Sequence, residues 1–297
     1  MTLPRRAAAV LVALAVAACA TTNLNSPDAT NAREHAQAAL DNWATAVAKL
    51  GPGPIIAPVG DLTRQVGDWE NDVGSNNKPA LMAGMVFTDM SLGGEAQQGT
   101  VTWPDGSTTT VPVISAQDAV VAINDAAKAA QAPCPECTPL TATDAELITG
   151  DIETTRGPAK GPIWSLTIRG TAVKVTRVAI ASAVIVPHLE WDSSFSRIGL
   201  FMDSARGSVT GTEVTVSFTG APEPGNKPCG EDYTAQAVES DLAVVIVVFR
   251  GPMGFTLGGC TALGAVRTAV ATLKKPLGNR AVLNVGDGQP VPMTLLP

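Results

Sequence analysis

The chain has 297 residues, with 20 basic against 27 acidic side chains, a net charge of −7 and a pI near 4.9. An acidic protein has no electrostatic reason to bind nucleic acid or anionic lipid headgroups, so those partners are excluded on charge. Aromatic residues make up 4% of the chain, too few for an extended carbohydrate-stacking surface, although Trp69, Trp103 and Trp191 could cluster.

The first segment has the layout of an export signal: Arg5 and Arg6, an apolar run over 7–18, then small residues. The run is about a dozen residues, short of the roughly 20 that span a bilayer. Val16-Ala17-Ala18-Cys19 resembles a bacterial lipobox, which implies cleavage before Cys19 and a diacylglyceryl, palmitate-like anchor on its thiol. Two acyl chains suffice for stable anchoring. Cleavage would remove both arginines and take the charge to −9. The expected layout is a signal peptide at 1–18, the lipidated Cys19 with a tether at 19–30, an α+β domain at 31–182 and an all-β domain at 183–297. A single β structure decorated by two helices is the alternative.

Residues 32–50 read as a helix. Asn31 and Glu34 form a capping-box-like start, and Leu40, Trp43, Val47 and Leu50 share one face. Gly51-Pro52-Gly53-Pro54 stops it. After a mixed stretch at 55–92, residues 99–103 and 108–114 flank Pro104-Asp105-Gly106-Ser107 as a hairpin. Ser115-Ala116-Gln117-Asp118 caps a second helix reaching about residue 130. Beyond Cys134-Pro135-Glu136-Cys137 the chain reads as β. Alternation is visible at 164–168, 173–178, 209–218, 237–249 and 266–273, and a closing hairpin runs over 281–284, a turn at 286–288 and a strand to 293. The apolar runs 178–187 and 242–249 suit buried strands. The expected fold is therefore α+β and predominantly β, with two helices in the N-terminal part and an antiparallel, sandwich-like C-terminal part.

Setting Cys19 aside, Cys134, Cys137, Cys229 and Cys260 are even in number, which in an oxidising compartment reads as disulfides. Four cysteines allow three pairings. Proximity favours Cys134–Cys137 and Cys229–Cys260, the latter closing a loop worth about 3.7 kcal/mol on the chain-entropy model. Cys134-Pro135-Glu136-Cys137 also has the spacing of a thiol–disulfide active site. It follows a helix instead of opening one, which favours a structural bridge.

Other motifs fall short of a site. His188, Glu190 and Asp192 could share one strand face, as a metal or general base would need, while His35 lies on the solvent side of the first helix. Ser75-Asn76-Asn77-Lys78 has Ser-x-x-Lys spacing without the partner motifs of penicillin-binding enzymes. Asp68-Trp69-Glu70-Asn71-Asp72 begins like a calcium loop, but Gly74 comes one place late and Pro79 stands where the bidentate glutamate belongs. Gly254-Phe255-Thr256-Leu257-Gly258-Gly259 lacks the lysine of a phosphate loop. No catalytic residue, metal site or cofactor is assigned.

Several segments resemble uncharacterised secreted lipoproteins of high-GC Gram-positive actinobacteria. They include Gly67-Asp68-Trp69-Glu70, Asn76-Asn77-Lys78-Pro79-Ala80-Leu81, the tract from Trp103 to Ala116, Cys134-Pro135-Glu136-Cys137, Thr155-Arg156-Gly157-Pro158-Ala159, Pro162-Ile163-Trp164 and Pro276-Leu277-Gly278-Asn279-Arg280. The resemblance implies secretion and disulfides and carries no activity. The expected role is a non-catalytic lipoprotein on the outer face of the membrane that binds an envelope protein, a cell-wall component or a small ligand. The alternative is an envelope hydrolase or metal-assisted enzyme using His188, Glu190 and Asp192.

Overall fold

Proline fixes φ and lacks the N–H that the first helical turn leaves unpaired, so it opens helices well. Pro27 does so here. In the computed structural model, which describes residues 27–50, 55–69, 77–95, 97–129, 134–181, 184, 186–187, 189 and 200–296, helix α1 covers Pro27–Lys49. It starts one turn before the expected Asn31 cap, and Asn31 lies inside it. The expected apolar face is the packed one. Ala32, Ala36, Ala39, Leu40, Trp43 and Ala46 are buried, and Val47 and Leu50 pack against the same core.

The next segments build an eight-stranded sheet. Its strands are β1 (Pro58–Val59), β2 (Thr63–Val66), β3 (Val86–Phe87), β4 (Gln97–Thr102), β5 (Thr108–Val113), β6 (Leu140–Thr154), β7 (Gly157–Ile168) and β8 (Lys174–Val178). The order is β1-β6-β7-β4-β5, with β8 pairing both β7 and β2, and β3 lying parallel to β6. The β4–β5 hairpin forms as the sequence implies. Asp105 Oδ1 accepts from the Ser107 N–H at 2.8 Å, and Gly106 takes a positive φ of 80°.

Two helices cover one face of this sheet, α2 (Asn77–Met82) and α3 (Ala116–Ala129). The α3 start is an N-cap closed by Ser115 and Asp118. Ser115 Oγ accepts from the Asp118 N–H at 3.1 Å and donates to the Asp118 carboxylate at 2.8 Å. Ala116, Ala119, Val120 and Ile123 pack with Trp164, Leu166 and Ile168 of β7. Asn124 acts as a strand partner from the helix: its Oδ1 accepts from Val86 N at 3.1 Å and its Nδ2 donates to Val86 O at 2.7 Å. Gly94, at φ 95°, closes over Trp164, and a Cβ there would land on the indole Cη2 atom.

The remaining strands are β9 (Met202–Ser208), β10 (Glu213–Gly220), β11 (Tyr233–Glu239), β12 (Ala243–Arg250), β13 (Ala265–Thr272), β14 (Ala281–Asn284) and β15 (Met293–Leu296). They form two sheets, β13-β10-β9-β15 and β11-β12-β14. Residues 243–248 of β12 are buried on both faces, as a continuous apolar run implies. Alternation divides them. Ala243, Val245 and Val247 face α1, and Val244, Ile246 and Val248 face the four-stranded sheet. The order of layers is therefore helix, sheet, sheet. The first helix, counted from sequence with the N-terminal segment, packs on strands of the C-terminal one.

The fold is α+β and predominantly β. Three local readings are corrected. Residues 237–249 read as one alternating stretch, but a turn at 240–242 breaks them into the β11–β12 hairpin, and the stretch read from 209 becomes a strand only at Glu213, residues 209–212 being the β9–β10 turn. A short turn that preserves side-chain parity leaves the period of two intact across the reversal. The closing hairpin forms only around its turn, where Asn284 N donates to Gln289 O at 2.8 Å and Val291 N to Val282 O at 2.9 Å. β14 pairs in parallel with β12 and β15 in parallel with β9, with a single Leu283–Pro290 bridge between the two segments. The C-terminal part is thus not purely antiparallel.

Double burial of β12 predicts a sharp contrast. Ile246→Ala should cost roughly 2–5 kcal/mol in urea unfolding, whereas Val266→Thr, on the exposed face of β13, should stay within about 0.5 kcal/mol. Equal losses at both positions would contradict the layer order.

Candidate functional site

Cys19, His188, Glu190, Asp192, Trp191, Ser75 and most of the calcium-like loop at 70–76 lie outside the described residues. Of the other tryptophans, Trp69 flanks the helix-covered core and donates to Gln65 Oε1 at 2.7 Å, whereas Trp103 is buried in the cluster on the opposite sheet face. Those two do not come together. His35, expected toward solvent, is half-buried on α1. Among the described residues no three His, Cys, Asp or Glu side chains converge as metal ligands. A shallow groove beside the α3 start is lined by Gln97, Gln98, Pro112, Ile114 and Asp118. The Asp118 carboxylate there is already engaged by Ser115.

Both favoured disulfides are present, Cys134–Cys137 with Cα atoms 5.3 Å apart and Cys229–Cys260 at 5.6 Å. The first comes after α3 in the chain instead of opening a helix, unlike the cysteines whose pKa a helix N-terminus lowers. Cys137 is buried in the α3 core. This setting is that of a staple. The second bridge ties residues 221–232 to the loop at 251–264, and Cys229 holds φ at 60°, the one positive value outside glycine among the described residues.

Around this second bridge the backbone is packed tightly. Gly251 N donates to Asp232 O at 2.8 Å, Gly254 N to Gly230 O at 2.8 Å, and Cys229 N to Gly254 O at 3.3 Å. A Cβ on Gly254 would land on the Lys227 carbonyl oxygen, and one on Gly230 would land on that of Pro224. Only glycine allows the two loops to lie so close.

A buried polar network supports the same corner. Glu231 is almost fully buried and accepts from Tyr233 Oη at 2.8 Å and from Arg250 Nη1 at 3.4 Å. Tyr233 Oη in turn accepts from Ala221 N at 2.6 Å. Burial, and then the Glu231 carboxylate, push the Tyr233 phenol above its usual value. Arg267 lies 5.2 Å from the Tyr233 ring centroid and donates to the carbonyls of Ala221 and Glu223.

A second buried pair closes the opposite turn. Glu239 and Arg280 meet at 2.8 Å, with side chains 9% and 8% exposed. The guanidinium also donates to the carbonyls of Leu277, Ser240, Lys275 and Pro276. All five of its donors are thereby used, the condition under which a buried charge is tolerated. Burial raises the Glu239 carboxyl, but the Arg280 hydrogen bond and the Lys274 N–H outweigh it and leave it below the ordinary 4.5.

The clusters divide by role. The charged groups hold turns closed, and the feature they leave presented to solvent is the loop 251–264. Its length, cysteine and glycines were legible in the sequence, but its exposure was not. No protein family, curated protein or solved structure matches the chain.

Three outcomes follow from these arrangements. Arg280→Ala should cost about 3–5 kcal/mol by leaving Glu239 buried without its cation. Because the folded Glu239 value is depressed, the pair's contribution is present above 4.5 and is lost as pH falls through the lower folded value. Glu239→Gln should flatten that part of the acid dependence of the melting temperature. In graded reductant followed by alkylation, Cys229–Cys260, with Cys260 exposed, should open before Cys134–Cys137, with Cys137 buried. The reverse order would count against the staple assignment.

Proposed function

We propose that the chain is an extracytoplasmic lipoprotein, held to the outer face of the membrane by lipid on Cys19 and acting by binding. The observation that carries this reading is the position of Cys19. It closes an apolar run behind two arginines and stands eight residues ahead of the first residue of α1. Two disulfides in the body support an oxidising compartment.

The α1 start shortens the linker expected from sequence. From Cys19 to Pro27 the chain reaches at most about 28 Å, at about 3.5 Å per residue. A body so tethered works against the membrane surface. Its partners are an envelope protein, a cell-wall component or a small ligand within that zone. The polar clusters of the described residues hold loops and turns in place, which suits a binding scaffold.

Intact mass of the native protein tests the anchor. The expected species begins at Cys19 and carries a diacylglyceryl mass, and Cys19→Ala should abolish both the added mass and cleavage at that site. A native N-terminus elsewhere, or an unmodified Cys19, would sink the reading.

A further inference from the structure

Elsewhere in the C-terminal layers the exposed large apolar side chains, Phe201, Val209, Leu242 and Leu296, are spread along the chain, whereas one stretch concentrates them. Met253, Phe255, Leu257, Leu263, Val266 and Val270 are all exposed within eighteen residues of chain, Phe255 at 80% and Leu257 at 96%. Exposed apolar residues scattered singly need no explanation, but a concentration of them marks a contact surface.

The stretch is also presented rigidly. The Cys229–Cys260 bridge, the Gly254 and Gly230 backbone contacts and the Glu231–Tyr233–Arg250 network fix its base. A loop held at its base loses less entropy on docking than a free one.

The chemistry of the loop selects its occupant. Residues 251–264 hold no charged side chain, no Trp and no Tyr. Protein interfaces draw their energy from Trp, Tyr and Arg anchors and a polar rim, none of which the loop itself supplies. An uncharged, exposed loop bearing Phe255 and Leu257 matches instead a fluid apolar medium, which needs no complementary groove. The eight residues from Cys19 to Pro27 keep the α1 start within about 28 Å of the anchoring point.

We propose that the loop 251–264 dips into the lipid bilayer, giving the protein a second membrane contact beside the Cys19 lipid and fixing the orientation of its body. This rests on the anchoring reading above. The net acidity of the chain does not oppose it, since insertion is driven by uncharged side chains and not by headgroup attraction.

The test uses the full lipidated chain in phosphatidylcholine vesicles. Leu257→Cys is labelled with an environment-sensitive fluorophore, the four body cysteines being closed in disulfides. Ser107→Cys, on the exposed β4–β5 turn, is the reference. The expected result is a blue-shifted emission at 257 that brominated lipid quenches, with neither seen at 107. Both effects should persist in about 1 M salt, where the screening length is about 3 Å. Emission at 257 as water-like as at 107 overturns the proposal. So does a water-like label on vesicles that crosslinks in cells to one envelope protein, which would make the occupant a protein. Intact mass reports the anchor independently. A chain without lipid fails the anchoring reading, while the label on chain added to the same vesicles still decides the loop.

Discussion

Double burial of β12 is the constraint on which the C-terminal architecture depends. A strand with apolar side chains on both faces cannot rest at a surface, because each Val or Ile left in water forfeits about 1.5–3 kcal/mol. It needs two covers. One is the four-stranded sheet, reached through Val244, Ile246 and Val248. The other is α1, reached through Ala243, Val245 and Val247. The alanines of α1 answer this demand. Small side chains at Ala32, Ala36, Ala39 and Ala46 let the helix approach the strand closely, and Trp43 and Leu40 fill the remaining volume. An N-terminal segment is thus recruited to finish a C-terminal core.

Once β12 is enclosed, its ends must be handled without exposing or stranding polar groups. At the β11–β12 turn the solution is Arg280, whose five donors satisfy Glu239 and four carbonyls. At the β12–β13 connection it is the second disulfide, two glycines and Glu231 with its partners. The two ends differ in what they present. The first is a closed polar knot. The second carries a row of apolar side chains outward from a fixed base, and this difference is what makes the loop a candidate contact surface.

Much of the local structure was legible because its signals are local. The Ser115–Asp118 cap, the Asp105-Gly106 turn and the α1 face follow from spacing alone. Strand β6, read only as part of a generally β region, shows the opposite case. Its sequence, rich in Ala, Asp, Glu and Thr, has weak strand propensity, and it is a strand because β7, β1 and β3 pair with it. The same holds for 281–293, where adjacency in sequence suggests a hairpin and long-range pairing separates the two strands into different sheets. At the candidate surface, Phe255 and Leu257 read from sequence as ordinary apolar residues, since period and composition carry no record of what covers a loop.

Sequence by itself determined the α+β character, the capped helix α3, the β4–β5 hairpin and the two cysteine pairs favoured by proximity. Each depends on residues within a few positions of one another, or on chemistry that needs no fold. Only the tertiary structure decided that α1 covers β12, that β14 and β15 part company, and that the loop at 251–264 stands bare. These are matters of which surfaces meet, and burial is set by partners distant in the chain.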